Sequence, residues 1–167
     1  VALSAVGGNT CLPIVSQNLV NIACHLNIKV PIFKGLDRQN RYMTISHPGL
    51  KNKGRLGASS VSIQKQAAIL DEEESSVGTV ALDQLIHLLR TSQGPITLLT
   101  LGPLTNVQYM MDQAPDLIDK LDQIIMMGGC LGPGNYSDRV EFNFGFDPQA
   151  TRKVMSLECA KTIIPLE

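Results

Sequence analysis

Short apolar runs alternate with amphipathic stretches along this 167-residue chain, and that alternation restricts its possible architectures more than any other feature. The apolar runs lie near residues 1–6, 29–33, 96–101, 122–127 and 161–165 and read as strands. Between them, residues 13–26, 77–91, 103–112 and 148–157 carry apolar side chains three and four positions apart, the spacing of helices laid on a sheet. Asp147 followed by Pro148 marks one helix start, with an acidic N-cap and a proline at the first helical position. Repeated strand–helix–strand units make a parallel sheet, so the predicted class is α/β, a doubly wound, mostly parallel sheet with helices on both faces. Residues 1–167 read as a single domain without a linker or an internal repeat. Residues 36–76 depart from the pattern, being long and polar, and read as a binding loop, lid or insert. The acidic run Asp71 to Glu74 within them reads as a solvated face.

Composition narrows the function. A formal net charge of -1 and 4% aromatic residues provide neither a basic footprint nor a stacking platform, so nucleic acid is an unexpected partner. No apolar run approaches the roughly 18 residues of a membrane span and no segment resembles a signal peptide, so a cytoplasmic protein is expected. Cys11, Cys24, Cys130 and Cys159 are far apart and read as reduced thiols rather than zinc ligands or disulfides. The chain opens inside one apolar run (VALSAV) and closes on another (TIIPLE), so it is expected to be incomplete at both ends.

In parallel sheets ligands gather beyond the carboxyl ends of the strands. Three glycine-bearing turns leave those ends, GGN (7–9), LGPLTN (101–106) and GGCLGPGN (128–135). None is a P-loop, a dinucleotide fingerprint or a nucleophile elbow. After the last turn comes VEFNF (140–144). If extended, it would point Glu141 and Asn143 from one face and Phe142 and Phe144 from the other, with Asn135 reaching the same space from the loop. A carboxylate with two amides suits a neutral polyol such as a sugar, because it offers acceptors and donors to adjacent hydroxyls. The competing reading is a capped loop whose polar groups satisfy its own backbone. His25 and His87 fall in helical patterns and read as structural, and His47 lies in the long loop.

The segments SAVGGN followed by a helix and VPIFKG, then GPITLLTLGPLTN, and IIMMGG through GPGN to EFNFGFDPQA resemble the inosine-uridine preferring nucleoside hydrolases, over nearly the whole chain outside residues 36–76. The resemblance implies an α/β core, a homodimer or homotetramer, a ribonucleoside substrate and a Ca2+ ion that binds both the ribose and the attacking water. It implies that Asn135, Glu141 and Asn143 bind ribose hydroxyls, that Asn9 also lies at the ribose, that Met127 lines the pocket and that the Leu101 backbone carbonyl is a calcium ligand. The family's D-x-D-x-x-x-D-D motif, with the general base and most calcium ligands, is expected before residue 1, and its His-Asp pair after Glu167. Its H-G-x-D-G-L-G loop corresponds here to HPGLKNKGRLG, which contains His47. Hydrolysis of the N-glycosidic bond of ribonucleosides is therefore the expected activity. The alternative is a catalytically inactive relative that acts as a binding or scaffold protein.

Overall fold

The computed structural model describes residues 1–36 and 77–167. The insert read at 36–76, apart from Leu36, and His47 with it lie outside the described residues. The chain divides into two compact units, Val1–Ala81 and Leu82–Glu167.

In the first unit β1 (Leu3–Ser4) pairs in parallel with β2 (Ile32–Phe33), and α1 (Leu12–His25) connects them. Pro13 sits in the first turn of α1, where a missing N–H costs nothing, and Val20 and Ala23 lie on its buried face. The strands are much shorter than their apolar runs, since only two residues of each find a ladder partner in register. Beyond them Ala5 and Gly7 still donate backbone bonds to Phe33 and Leu36, at 2.9 and 3.0 Å.

In the second unit β3 (Ile96–Thr100), β4 (Leu121–Met127) and β5 (Ala160–Ile164) form a three-stranded parallel sheet in that order. The helix α2 (Val77–Thr91), which begins in the first unit, precedes β3. α3 (Thr105–Gln113) and a 3₁₀ helix (Pro115–Lys120) link β3 to β4, and α4 (Phe142–Phe146) and α5 (Pro148–Met155) link β4 to β5. Both connections join neighbouring parallel strands in the same direction across the sheet, and α3 and α5 pack together. β4, the middle strand, carries the core: Ile124 and Met126 are fully buried, as are Leu82, Leu104, Leu117 and Val154. Leu99 in β3 is exposed, and β5 has no buried residue, with Ile163 and Ile164 both exposed. Asp147 caps α5 as the sequence predicts, its Oδ1 accepting from the Ala150 N–H at 3.1 Å, with Pro148 next to it. All four cysteines are free thiols.

Candidate functional site

β4 ends at Met127, and Gly128 and Gly129 carry the chain away from the sheet. A Cβ at Gly128 would lie 2.2 Å from the Phe144 ring, so the close approach of that ring requires glycine. Gly129 has φ +75°, a left-handed conformation. Four N–H groups of this turn are committed. Gly128 donates to the Ile164 carbonyl at 3.0 Å and Gly129 to Glu141 Oε2 at 3.0 Å. Leu131 and Gly132 donate to the two oxygens of the Glu167 carboxylate at 2.9 and 2.7 Å. These bonds, the one from Leu131 first, hold the Glu167 carboxyl below the usual carboxylate range. The next residues fold back on themselves, with Tyr136 N–H to the Val140 carbonyl at 2.9 Å and Gly134 N–H to the Asp138 carbonyl at 2.9 Å.

Here the extended VEFNF segment anticipated from the sequence is corrected. Residues 142–146 form α4, and Glu141 is its N-cap, in extended backbone conformation. Glu141 Oε1 accepts from the Asn143 N–H at 2.8 Å, and Oε2 accepts from the Phe144 N–H at 3.1 Å as well as from Gly129. A carboxylate that collects the free N–H groups of a helix start outweighs the alternation of five residues, which is too short to enforce a strand. Phe142 and Phe144 therefore do not share one face. The Phe142 ring packs against Tyr136 and Phe146, with centroids 5.7 and 5.4 Å away, while Phe144 closes over Gly128.

Glu141, Asn143, Asn135 and Met127 nonetheless come together. Asn143 Nδ2 donates to the Met127 carbonyl and contacts Met127 Sδ, both at 3.1 Å. Asn135 Oδ1 accepts from the Phe142 N–H at 2.7 Å. Glu141 and Asn143 are buried, at 2% and 8% exposure, while Asn135 is exposed. Each group has bonding capacity left over. A carboxylate offers about four lone-pair positions, and Glu141 accepts three bonds from the described residues. Asn143 Oδ1 and Asn135 Nδ2 make no hydrogen bond among the described residues.

The turn after β3 is built differently. Leu101 is 73% exposed, while Leu104, Thr105 and Asn106 behind it are buried, at 0%, 4% and 6%. Thr105 Oγ1 donates to Asp147 Oδ2 at 2.9 Å, a link between residues 42 positions apart. Nothing in the sequence signalled that bond, nor the grip of Glu167 on the 131–132 turn. The Leu101 carbonyl offers a hard cation one oxygen, whereas calcium takes about six to eight. Among the described residues no three His, Cys, Asp or Glu side chains cluster, so these side chains do not by themselves complete such a set. Asn9 lies exposed in the first unit, in a turn where Gly8 N–H donates to the Thr10 carbonyl at 3.2 Å.

Parallel strands whose carboxyl-end turns gather a carboxylate and two amides define an α/β protein with a polar site at the sheet rim. The chain belongs to the inosine-uridine preferring nucleoside hydrolase family, whose sequence profile matches residues 1–167. It is 30% identical over 157 residues to the pyrimidine-specific ribonucleoside hydrolase RihB of Escherichia coli, an alignment covering 93% of this chain and 47% of that protein. The chain thus spans about half the length of the curated relatives it matches. Its fold is similar to that of a plant nucleoside hydrolase, PpNRh1, with TM-score 0.76 and 23% identity over 99% of this chain and 51% of the other. It is likewise similar to the purine-preferring ribonucleoside hydrolase from Gardnerella vaginalis, with TM-score 0.73 and 20% identity over 99% of this chain and 52% of the other. Among the described residues no helix is long and apolar enough to cross a membrane.

Proposed function

We propose that this chain takes part in hydrolysis of the N-glycosidic bond of ribonucleosides, giving ribose and a free base. The observation that carries the reading is the convergence of Glu141, Asn143 and Asn135 beside Met127, each with hydrogen-bonding capacity to spare. One carboxylate lone pair and the Asn143 amide oxygen accept from ribose hydroxyls, and the Asn135 amide N–H donates to one. Met127 forms the pocket wall. Because Glu141 and the backbone of the Asn143 turn are locked to one another, the sugar is held in a fixed pose at no ordering cost during reaction. Cleavage makes the ribose ring oxocarbenium-like, and a buried carboxylate gains interaction energy as positive charge develops on the bound sugar.

Membership of the family supports calcium as the cofactor, with the Leu101 carbonyl as one ligand. The general base is not assigned to any described residue. We further propose that the two units belong to one domain and that the protein is cytoplasmic and acts as a homodimer or homotetramer. RihB is named for pyrimidine nucleosides and the Gardnerella enzyme for purine ones. Release of reducing sugar from inosine and uridine by the natural protein, in calcium-containing buffer, tests the reading. Turnover of either substrate supports it. Binding of ribose without turnover of any nucleoside would reject it in favour of a non-catalytic binding or scaffold protein.

A further inference from the structure

α4 is five residues long, too short to persist by its own backbone bonds, yet it carries Asn143 and begins at Glu141. Its position is therefore set by what grips its two ends. At its start the Glu141 carboxylate binds the N–H groups of Gly129, Asn143 and Phe144. At its end the Thr151 hydroxyl donates to the Phe144 carbonyl at 2.9 Å, and the chain passes directly into Asp147. Asp147 is 3% exposed and divides its carboxylate, Oδ1 to the Ala150 N–H at 3.1 Å and Oδ2 to the Thr105 hydroxyl at 2.9 Å. Thr105 is the first residue of α3 and is itself 4% exposed. The chain of bonds thus runs from the turn after β3, through Thr105 and Asp147, to the helix that presents Asn143.

We propose that Thr105 and Asp147 are positioning residues for the sugar-binding groups, acting by fixing the far end of α4. The proposal rests on the ribose role given above to Glu141 and Asn143. A helix cap alone would need only Oδ1 of Asp147, already satisfied by Ala150. The second oxygen spends a buried charge-assisted bond on a residue 42 positions away, on the neighbouring crossover helix. Without that bond α5 keeps its cap, but α4 loses one of the ties that fix its far end. A displacement of about 1 Å at a reacting centre is enough to cost about a hundredfold in rate.

The test uses the natural protein with Thr105→Val, which keeps the side-chain shape and removes the donor. Thr105→Ser restores the donor. Asp147→Asn keeps an acceptor for Ala150 and takes the anionic acceptor away from Thr105, and so serves should Thr105→Val fold poorly. Lys153→Ala is the control, because its surface ion pair with Asp112, at 3.0 Å, joins the same two helices far from the capping carboxylate. Readouts are kcat and KM separately, ribose affinity by calorimetry, and thermal midpoint. We expect Thr105→Val and Asp147→Asn to lower kcat/KM and ribose affinity by about ten- to a hundredfold, with Thr105→Ser and Lys153→Ala within about twofold of wild type. A lowered thermal midpoint with unchanged kcat/KM and ribose affinity in the folded variants would overturn the proposal. Glu141→Ala, run alongside, separates the two failures: if it too leaves ribose affinity unchanged, the sugar-binding reading falls and takes this proposal with it.

Discussion

The two turns at the carboxyl edge of the sheet are built on opposite plans. After β4, the path of residues 128–146 is written in polar side chains: Glu141, Asn135, Asn143 and Glu167 each bind backbone groups of that stretch or the strand end beside it. After β3, residues 101–106 are shaped by burial, with Leu104 fully enclosed and Leu101 left facing outward. A turn held by polar caps keeps its polar side chains fixed, with lone pairs left over. A turn held by burial presents backbone. The difference teaches that the sugar-binding role proposed for the β4 turn and its local stability reside in the same atoms, whereas for the β3 turn they are separate.

Leu104→Ala should produce the largest stability loss, about 2 to 5 kcal/mol, because it empties a fully enclosed leucine site. Urea denaturation measures it, and ribose affinity of the variant that remains folded should be nearly unchanged. An equal loss of ribose affinity there would erase the contrast between the two turns. Glu141→Ala should come next, at about 1.5 to 3 kcal/mol of stability for the charge-assisted bonds lost, and should also lower kcat/KM and ribose affinity. Stability and affinity falling together in one variant is the signature expected of the β4 turn.

Gly128→Ala should cost about 1 to 3 kcal/mol by driving a methyl into the Phe144 ring, which must shift to admit it. Gly94→Ala is the matched comparison, since a Cβ there meets nothing within 4 Å, and its thermal midpoint should stay near wild type. Equal effects at the two glycines would show that the Phe144 contact does not constrain the turn. The smallest effect is expected on the surface, where Arg90 grips Asp116 with bonds of 2.8 and 2.5 Å. The hydrogen bond from Arg90 holds the Asp116 carboxyl below its usual range, so the pair's contribution is present above that range and is lost as pH falls through the depressed value. Asp116→Asn should lower the thermal midpoint slightly at neutral pH and leave the acid end of the profile unchanged. Being exposed, the pair should contribute less than any buried group above.

The framework of the fold was legible because it rests on local pattern. The helices at 13–26 and 77–91 emerge within a residue of their predicted limits, and β4 and β5 within one residue at each end, since their apolar periodicity is strong and tertiary packing agrees with it. The 3₁₀ helix at Pro115–Lys120 was not foreseen, as one short turn leaves no periodicity to detect. The extended reading of residues 140–144 failed because five residues of alternating polar and aromatic character satisfy either period, and the bonds from the Asn143 and Phe144 N–H groups to Glu141 decide for the helix. The residues of the candidate site were legible through their chemical types and the family's motifs. Their partners were not, because Thr105 to Asp147 and Leu131 to Glu167 are contacts made only by the closed fold.

A crystal structure of the natural protein with ribose bound is the most direct test of the central claim. The account predicts a ribose hydroxyl donating to a Glu141 carboxylate oxygen, a second to Asn143 Oδ1, and the Asn135 amide donating to the sugar, with α4 intact. Ribose seated elsewhere, with Glu141, Asn143 and Asn135 bonded only to their own backbone, would contradict it and leave the β4 turn as a capped loop.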